Sequence, residues 1–274
     1  MRPGLRHTTE SMMRRIKFAL LAFSAAVILI LAAAVIARRA IPLHVHDDFE
    51  TSSLSWRWTK LRMVPGAAQL ERQIVHSGHQ AIAITVHNGD RYEAASDSGA
   101  ATERDELMEN WPLFSRTGHT YAYSFSLYLP DDLPSTAQRL VIAQWRQLCE
   151  ARHCSPDYPI LAIRYQQGLL EITRQDDQGR HVLYQSDKNY KGQWLDFRFV
   201  IKFDAARGGV RATLNRAPIV DYAGPTLFAP QPGYPAAGAV YFKTGLYRDA
   251  MHDPPWTIYV DDYRKDQCPD AGCE

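Results

Sequence analysis

The chain has 274 residues, of which 46% are apolar and 22% charged, and its formal charge is +1. Its 16 glycines and 16 prolines are in ordinary proportion, which excludes collagen-like, low-complexity and wholly disordered chains. The near-zero charge excludes a generally basic nucleic-acid binder but not a local basic patch.

That charge averages two unlike parts. Residues 1–40 carry Arg2, Arg6, Arg14, Arg15, Lys17, Arg38 and Arg39 against Glu10 alone, which leaves residues 41–274 at a net −5. Phe18 to Ala37 is a run of 20 residues without a charge. As a helix it would span ~30 Å, the thickness of a bilayer core. A cleavable signal has a shorter apolar region of roughly 7–15 residues, so 18–37 reads as an uncleaved transmembrane signal anchor. The positive-inside bias puts the basic segment 1–17 in the cytoplasm and residues beyond the linker 38–45 on the periplasmic or extracellular side. Cleavage near Ala32-Ala33-Ala34 would instead release a secreted domain.

The rest reads as one all-β domain over 46–266, followed by a short tail, 267–274. Strands are expected at 81–86, 121–129, 140–146, 160–166, 169–175, 194–203, 209–215, 239–247 and 257–264, where β-branched and aromatic residues cluster and many alternate. Turn residues separate them, as in Pro130-Asp131-Asp132, Gln167-Gly168 and Arg207-Gly208-Gly209. The segment around 104–114 is also read as strand. Many strands without helical crossovers imply antiparallel pairing in a two-sheet sandwich.

Three of these strands place charged or amide side chains where neutral polar ones are usual. Arg104 and Glu106 share a face, as do Gln144 and Arg146, and as do Tyr241, Lys243, Gly245 and Tyr247. If the strands are neighbours, these groups converge on one surface. Trp145, next to Gln144, points inward. Arg164, Arg198 and Arg211 read as ordinary solvated cations.

Cys149 and Cys154 bracket four residues, and so do Cys268 and Cys273. Two local disulfides suit an exported domain; a four-cysteine zinc site is the rival reading. Asp47, Asp48, Asp261 and Asp262 form two acidic pairs near the domain's ends. They read as turn and edge acids, with a structural Ca²⁺ site as the alternative. No other metal pattern is present.

ERDEL, VIAQW and YFKTGLYR, in that order, resemble the three signature strands of jelly-roll polysaccharide lyases. These include the alginate and glucuronan lyases and, more closely, a heparin-lyase-like group. HDDFE, YSFSLYLP, GQWLDFRFVIKF and TIYVDDYR fit as well, so the resemblance covers about residues 46–265. It implies a concanavalin-like jelly roll and β-elimination on an acidic, uronate-containing polysaccharide, without a required cofactor and without nucleic acid as partner.

The resemblance also implies roles. Arg104 and Gln144 would neutralise the uronate carboxylate, and Tyr247 would act as base and acid with Lys243 beside it. Glu106 would orient Arg104, and Arg146, Tyr241 and Arg248 would line the substrate site. The sequence departs from the family where a histidine is common two residues after the glutamine, because that position is Arg146. Arginine stays protonated and cannot serve as a base. Either Tyr247 performs both proton transfers, or a loop histidine such as His153 substitutes, or the domain only binds carbohydrate. A sandwich-fold hydrolase is disfavoured, because Glu106 faces away from Glu103 and Asp105 and no carboxylate pair spans one bond. The oligomeric state and the particular polymer are not readable.

Overall fold

The computed structural model describes residues 17, 20–21, 23–28, 43–91, 102–136, 139–148, 158–230, 237–250, 254–269 and 273. The chain divides into two units, Met1–Pro42 and Leu43–Glu274. In the first, the described residues are helical, and Leu20, Leu21, Phe23 and Ile28 are exposed. Among the described residues no helix is long and apolar enough to cross a membrane. Much of the expected anchor, 18–37, lies outside them.

The second unit contains the strands β1 (His44–Asp47), β2 (Trp58–Thr59), β3 (Ala68–Glu71), β4 (Ala81–Val86), β5 (Thr102–Glu109), β6 (Ser115–Arg116), β7 (Thr120–Tyr128) and β8 (Leu140–Gln147). It continues with β9 (Leu161–Gln166), β10 (Leu169–Asp176), β11 (Gly179–Gln185), β12 (Trp194–Lys202), β13 (Gly209–Leu214), β14 (Ala217–Ala223), β15 (Ala239–Asp249) and β16 (Trp256–Gln267). A single 3-10 turn, Trp111–Leu113, follows β5 and is capped by the Asn110 side chain. The described strands form two eight-stranded antiparallel sheets. One runs β14-β13-β12-β7-β16-β4-β3 with β1 beside β16, and the other runs β11-β10-β9-β8-β15-β5-β2 with β6 beside β15. This is the expected two-sheet sandwich.

Alternation explains the layering. Tyr121, Tyr123, Phe125 and Leu127 of β7 are buried toward the second sheet, where Phe125 meets Trp145 and Phe242 at 6.3 and 5.1 Å between ring centroids. Trp145 is fully buried, as expected. The strands that the pattern failed to announce include β11 and β14, each at one edge of its sheet. Edge strands are half solvated and need no strict alternation, and Pro218 in β14 is tolerated because an edge leaves one row of N–H groups unpaired.

Cys268 and Cys273 form the expected disulfide, with Cα atoms 5.2 Å apart. Cys149, Cys154 and His153 lie outside the described residues. The first and last strands, β1 and β16, pair. Asp47 accepts from the Phe49 N–H, the Ser55 hydroxyl and the Trp58 indole, and Asp261 accepts from the backbone N–H groups of His76 and Ser77. Among the described residues no group of three or more His, Cys, Asp or Glu side chains is arranged to hold a metal ion.

Candidate active site

β5, β15 and β8 are adjacent in one sheet. In register, Tyr247 lies opposite Arg104, Gly245 opposite Glu106, Lys243 opposite Gln144, and Tyr241 opposite Arg146. The side chains singled out in three separate segments therefore share the outer face, while Phe242, Leu246 and Trp145 fill the core behind them. A bulge between Val141 and Ala143 shifts the phase of β8. It lets Ile142 stay in the core while both Val141 and Gln144 occupy the outer face.

Glu106 is the hub. Its Oε2 lies 2.7 Å from Lys243 Nζ and 3.5 Å from Arg104 Nε, and its Oε1 accepts from the Gln144 amide. Glu106, Gln144 and Lys243 are each about 1% exposed. Burial works against the Glu106 charge, but Lys243 and Arg104 outweigh it and hold the carboxyl below its ordinary range. For Lys243 burial dominates. With Arg146 and Arg104 adding repulsion, it pushes the ammonium down to about 7 against the pull of Glu106.

Tyr247 and Arg146 stand above this floor, both partly exposed. The Arg104 guanidinium carbon is 3.9 Å from the centroid of the Tyr247 ring, and that of Arg139 is 4.7 Å from it. Arg139 is itself held by Asp249, Nη2 to Oδ1 at 2.6 Å. Tyr241 stacks on Phe114 with centroids 5.2 Å apart.

Gly245 makes the packing of β5 on β15 possible. Its φ is +143°, and a Cβ there would meet the Asp105 carbonyl oxygen at 2.2 Å and Glu106 Cα at 2.7 Å. No side-chain-bearing residue fits between Lys243 and Tyr247 at this register.

Arg248 requires a correction. Expected among the substrate-binding cations, it is 0% exposed on the core face, where Nε contacts Glu103 Oε2 at 2.7 Å and the guanidinium lies over Trp256. The alternation that turns Tyr247 outward turns its neighbour inward. Glu106, expected to orient Arg104, also contacts Lys243 and Gln144 and is covered by these three partners. Two residues were passed over. Arg139 follows a turn with no pattern of its own, and Arg164, read as a solvated cation, is buried on the outer face of β9. Arg198 and Arg211 belong to the other sheet.

The profile of the polysaccharide lyase family matches residues 49–264. The chain belongs to that family. No curated protein matches the sequence. Among solved structures, an endo-β-1,4-glucuronan lyase from the fungus Trichoderma reesei superposes with a TM-score of 0.61 at 16% identity, over 82% of this chain and 95% of that one. The cellulose induced protein Cip1 gives 0.51 at 14% identity, over 81% and 96%. The alginate lyase AlgAT5 of polysaccharide lyase family 7 gives 0.48 at 16% identity, over 69% and 79%. At such identities the glucuronan lyase and Cip1 show a likeness of fold alone, and it agrees with the jelly roll that the signature strands imply.

Proposed function

We propose that this polysaccharide lyase cleaves a uronate-containing polymer by β-elimination, with Tyr247 moving the proton. The observation that carries the reading is the Tyr247 phenol, partly exposed, with Arg104 over its ring and the Glu106–Gln144–Lys243 cluster beneath. A uronate C5–H is too weakly acidic to lose its proton while the neighbouring carboxylate keeps its full charge. Arg104 supplies the cation that neutralises this carboxylate, and Gln144 supplies a hydrogen bond to the anion that develops. An amide has two N–H donors, so the one given to Glu106 leaves the second for substrate.

Tyr247 in its phenolate form takes the C5 proton and becomes the phenol, the C4–C5 double bond forms, and the C4–O4 bond breaks. The same phenol returns the proton to O4, so no water is consumed and no external acid is needed. Arg146 stands where a histidine base is common in the family. It binds substrate charge instead, which leaves both transfers to Tyr247. The exposed apolar side chains at Leu20, Leu21, Phe23 and Ile28 support a membrane tether for the chain, with the lyase domain on the outer side of the membrane.

Glucuronan, alginate, heparin, heparan and chondroitin, incubated separately with the protein, test the reading through the ultraviolet absorbance of the unsaturated uronate product. Absorbance from at least one is expected. Its absence from all of them, with binding retained, would replace catalysis by carbohydrate binding, the reading favoured by Arg146 in the histidine position. New reducing ends without absorbance would mean hydrolysis.

A further inference from the structure

Six Lys or Arg side chains are buried among the described residues of the sandwich: Arg104, Arg164, Arg174, Lys243, Arg248 and Lys265. Five have a carboxylate within ion-pair distance. Glu106 serves Arg104 and Lys243, Asp176 serves Arg174, Glu103 serves Arg248, and Glu109 serves Lys265. Arg164 has none among the described residues. Its Nε donates to Thr173 Oγ1 at 3.0 Å, which fixes the guanidinium without neutralising it. Glu171, its cross-strand neighbour, accepts from the Gln185 amide and lies beyond ion-pair reach.

An unpaired buried cation is costly, and proteins ordinarily supply a counter-charge. Burial, then repulsion from Arg180 and Arg139, push Arg164 down to about 10, and the more distant Glu171 charge offsets them only in part. The register shows where this cation stands. Arg164 lies opposite Val141, Val141 opposite Tyr247, and Tyr247 opposite Arg104. The four form one row across the sheet on the outer face, with Arg164 two strand spacings, roughly 10 Å, from Tyr247. Arg164 is 5% exposed, the same as Arg104.

We propose that Arg164 is the specificity-determining residue of a second anion subsite, which receives the carboxylate or sulfate of a sugar flanking the one at Tyr247. The ligand would supply the counter-charge that the fold omits. Arg139, in the same row's neighbourhood and already against the Tyr247 ring, joins the two subsites. The inference rests on an acidic polymer occupying this face, and not on the elimination step.

The test uses the full chain and Arg164→Gln and Arg164→Lys variants. First, inorganic sulfate is titrated against chloride at matched ionic strength while the melting temperature is followed. A saturable sulfate-specific rise is expected in the wild type, retained in part in Arg164→Lys and lost in Arg164→Gln. Second, binding is measured by calorimetry with three oligosaccharides: an oligoglucuronate, an O-sulfated oligomer lacking carboxylates, and a neutral cello-oligosaccharide. Arg164→Gln should weaken binding about ten- to a hundredfold for the preferred acidic ligand, as expected for losing a charged hydrogen bond, and leave the neutral one unchanged. Which acidic oligomer responds identifies carboxylate or sulfate.

If Arg164→Gln lowers the melting temperature yet keeps both the sulfate response and wild-type affinity for the acidic oligomers, Arg164 is structural and the proposal fails. If oligouronate binding depends on Arg164 while no polymer yields unsaturated product, the subsite stands and the lyase reading falls. Where product does form, the variant should raise KM with kcat nearly unchanged; a fall in kcat at constant KM would remove Arg164 from recognition.

Discussion

The guanidinium of Arg104 lies 3.9 Å from the centroid of the Tyr247 ring, across the β5–β15 pairing that sets the two residues directly opposite each other. One register thus places the cation that would neutralise a uronate against the tyrosine that, as phenolate, would deprotonate it. Tyr247→Phe keeps the ring and its contact with Arg104 but removes the hydroxyl. Formation of unsaturated product should fall about 10³-fold, a typical loss for an acid–base group, with oligouronate affinity within a few-fold of wild type. Near-normal turnover would remove Tyr247 from the mechanism.

Arg146 is assigned to binding because it cannot release its proton. Arg146→Ala should raise KM severalfold while kcat stays within about threefold, as removal of uniform binding predicts. Steady-state kinetics on the responsive polymer decide this. A collapse of kcat at unchanged KM would mean that Arg146 acts in the proton-transfer step.

Glu106 neutralises two buried cations. Glu106→Gln should destabilise the domain by about 3–5 kcal/mol, the cost of breaking a buried ion pair from one side. Combining it with Lys243→Met should recover part of that loss, since the stranded ammonium is gone. Urea denaturation of the two single variants and the double variant closes the cycle. Strict additivity would show that the pair is not coupled.

Asp105 governs a pH effect. It is fully buried beside Glu106 on the opposite face, with Oδ1 accepting from the Val64 N–H at 2.7 Å. Burial first, then Asp90, pushes its carboxyl up to about 8 against that hydrogen bond. The folded state therefore holds a proton that the unfolded state releases near pH 4. Its contribution to stability is full below pH 4 and is lost as pH rises through 8. Asp105→Asn keeps an acceptor for Val64 and cannot ionise, so its melting temperature should fall less between pH 4 and 8 than that of the wild type. Parallel profiles would contradict the assignment.

Gly245 is the weakest point of the pairing that carries the site. Gly245→Ala should cost more than about 2 kcal/mol, because its φ is unfavourable for alanine and its Cβ would strike the β5 backbone rather than a side chain that could move. Tm should drop together with activity. A stable variant with lost activity would point instead to a direct role for the space above Gly245.

Much of the fold follows from local physics and was legible in the sequence. Alternation in YAYSFSLYL and AVYFKTGLY is a property of each strand alone, so the core faces of β7 and β15 could be read without knowing any neighbour. The same period placed Arg104, Gln144, Lys243 and Tyr247 on outward faces, and it would have turned Arg248 inward had it been applied there too. Edge strands such as β11 escaped, because a strand paired on one side is held by its neighbour more than by its own pattern.

What the sequence by itself determined is which side chains share a face: a strand's period of two is set by its own backbone, and the net −5 of residues 41–274 is set by composition. The tertiary structure decided which charges meet. Bulges in β8 and β15 and the pairing order β9-β8-β15-β5 bring Glu106 to three partners, assign Glu103 to Arg248, and leave Arg164 with no carboxylate at ion-pair distance among the described residues. Ion pairing depends on groups from distant segments meeting within about 4 Å, and cross-strand register, which no single segment encodes, controls that distance. The acidic domain thus presents one locally basic row, Arg104 to Arg164, on the face where its substrate is proposed to bind.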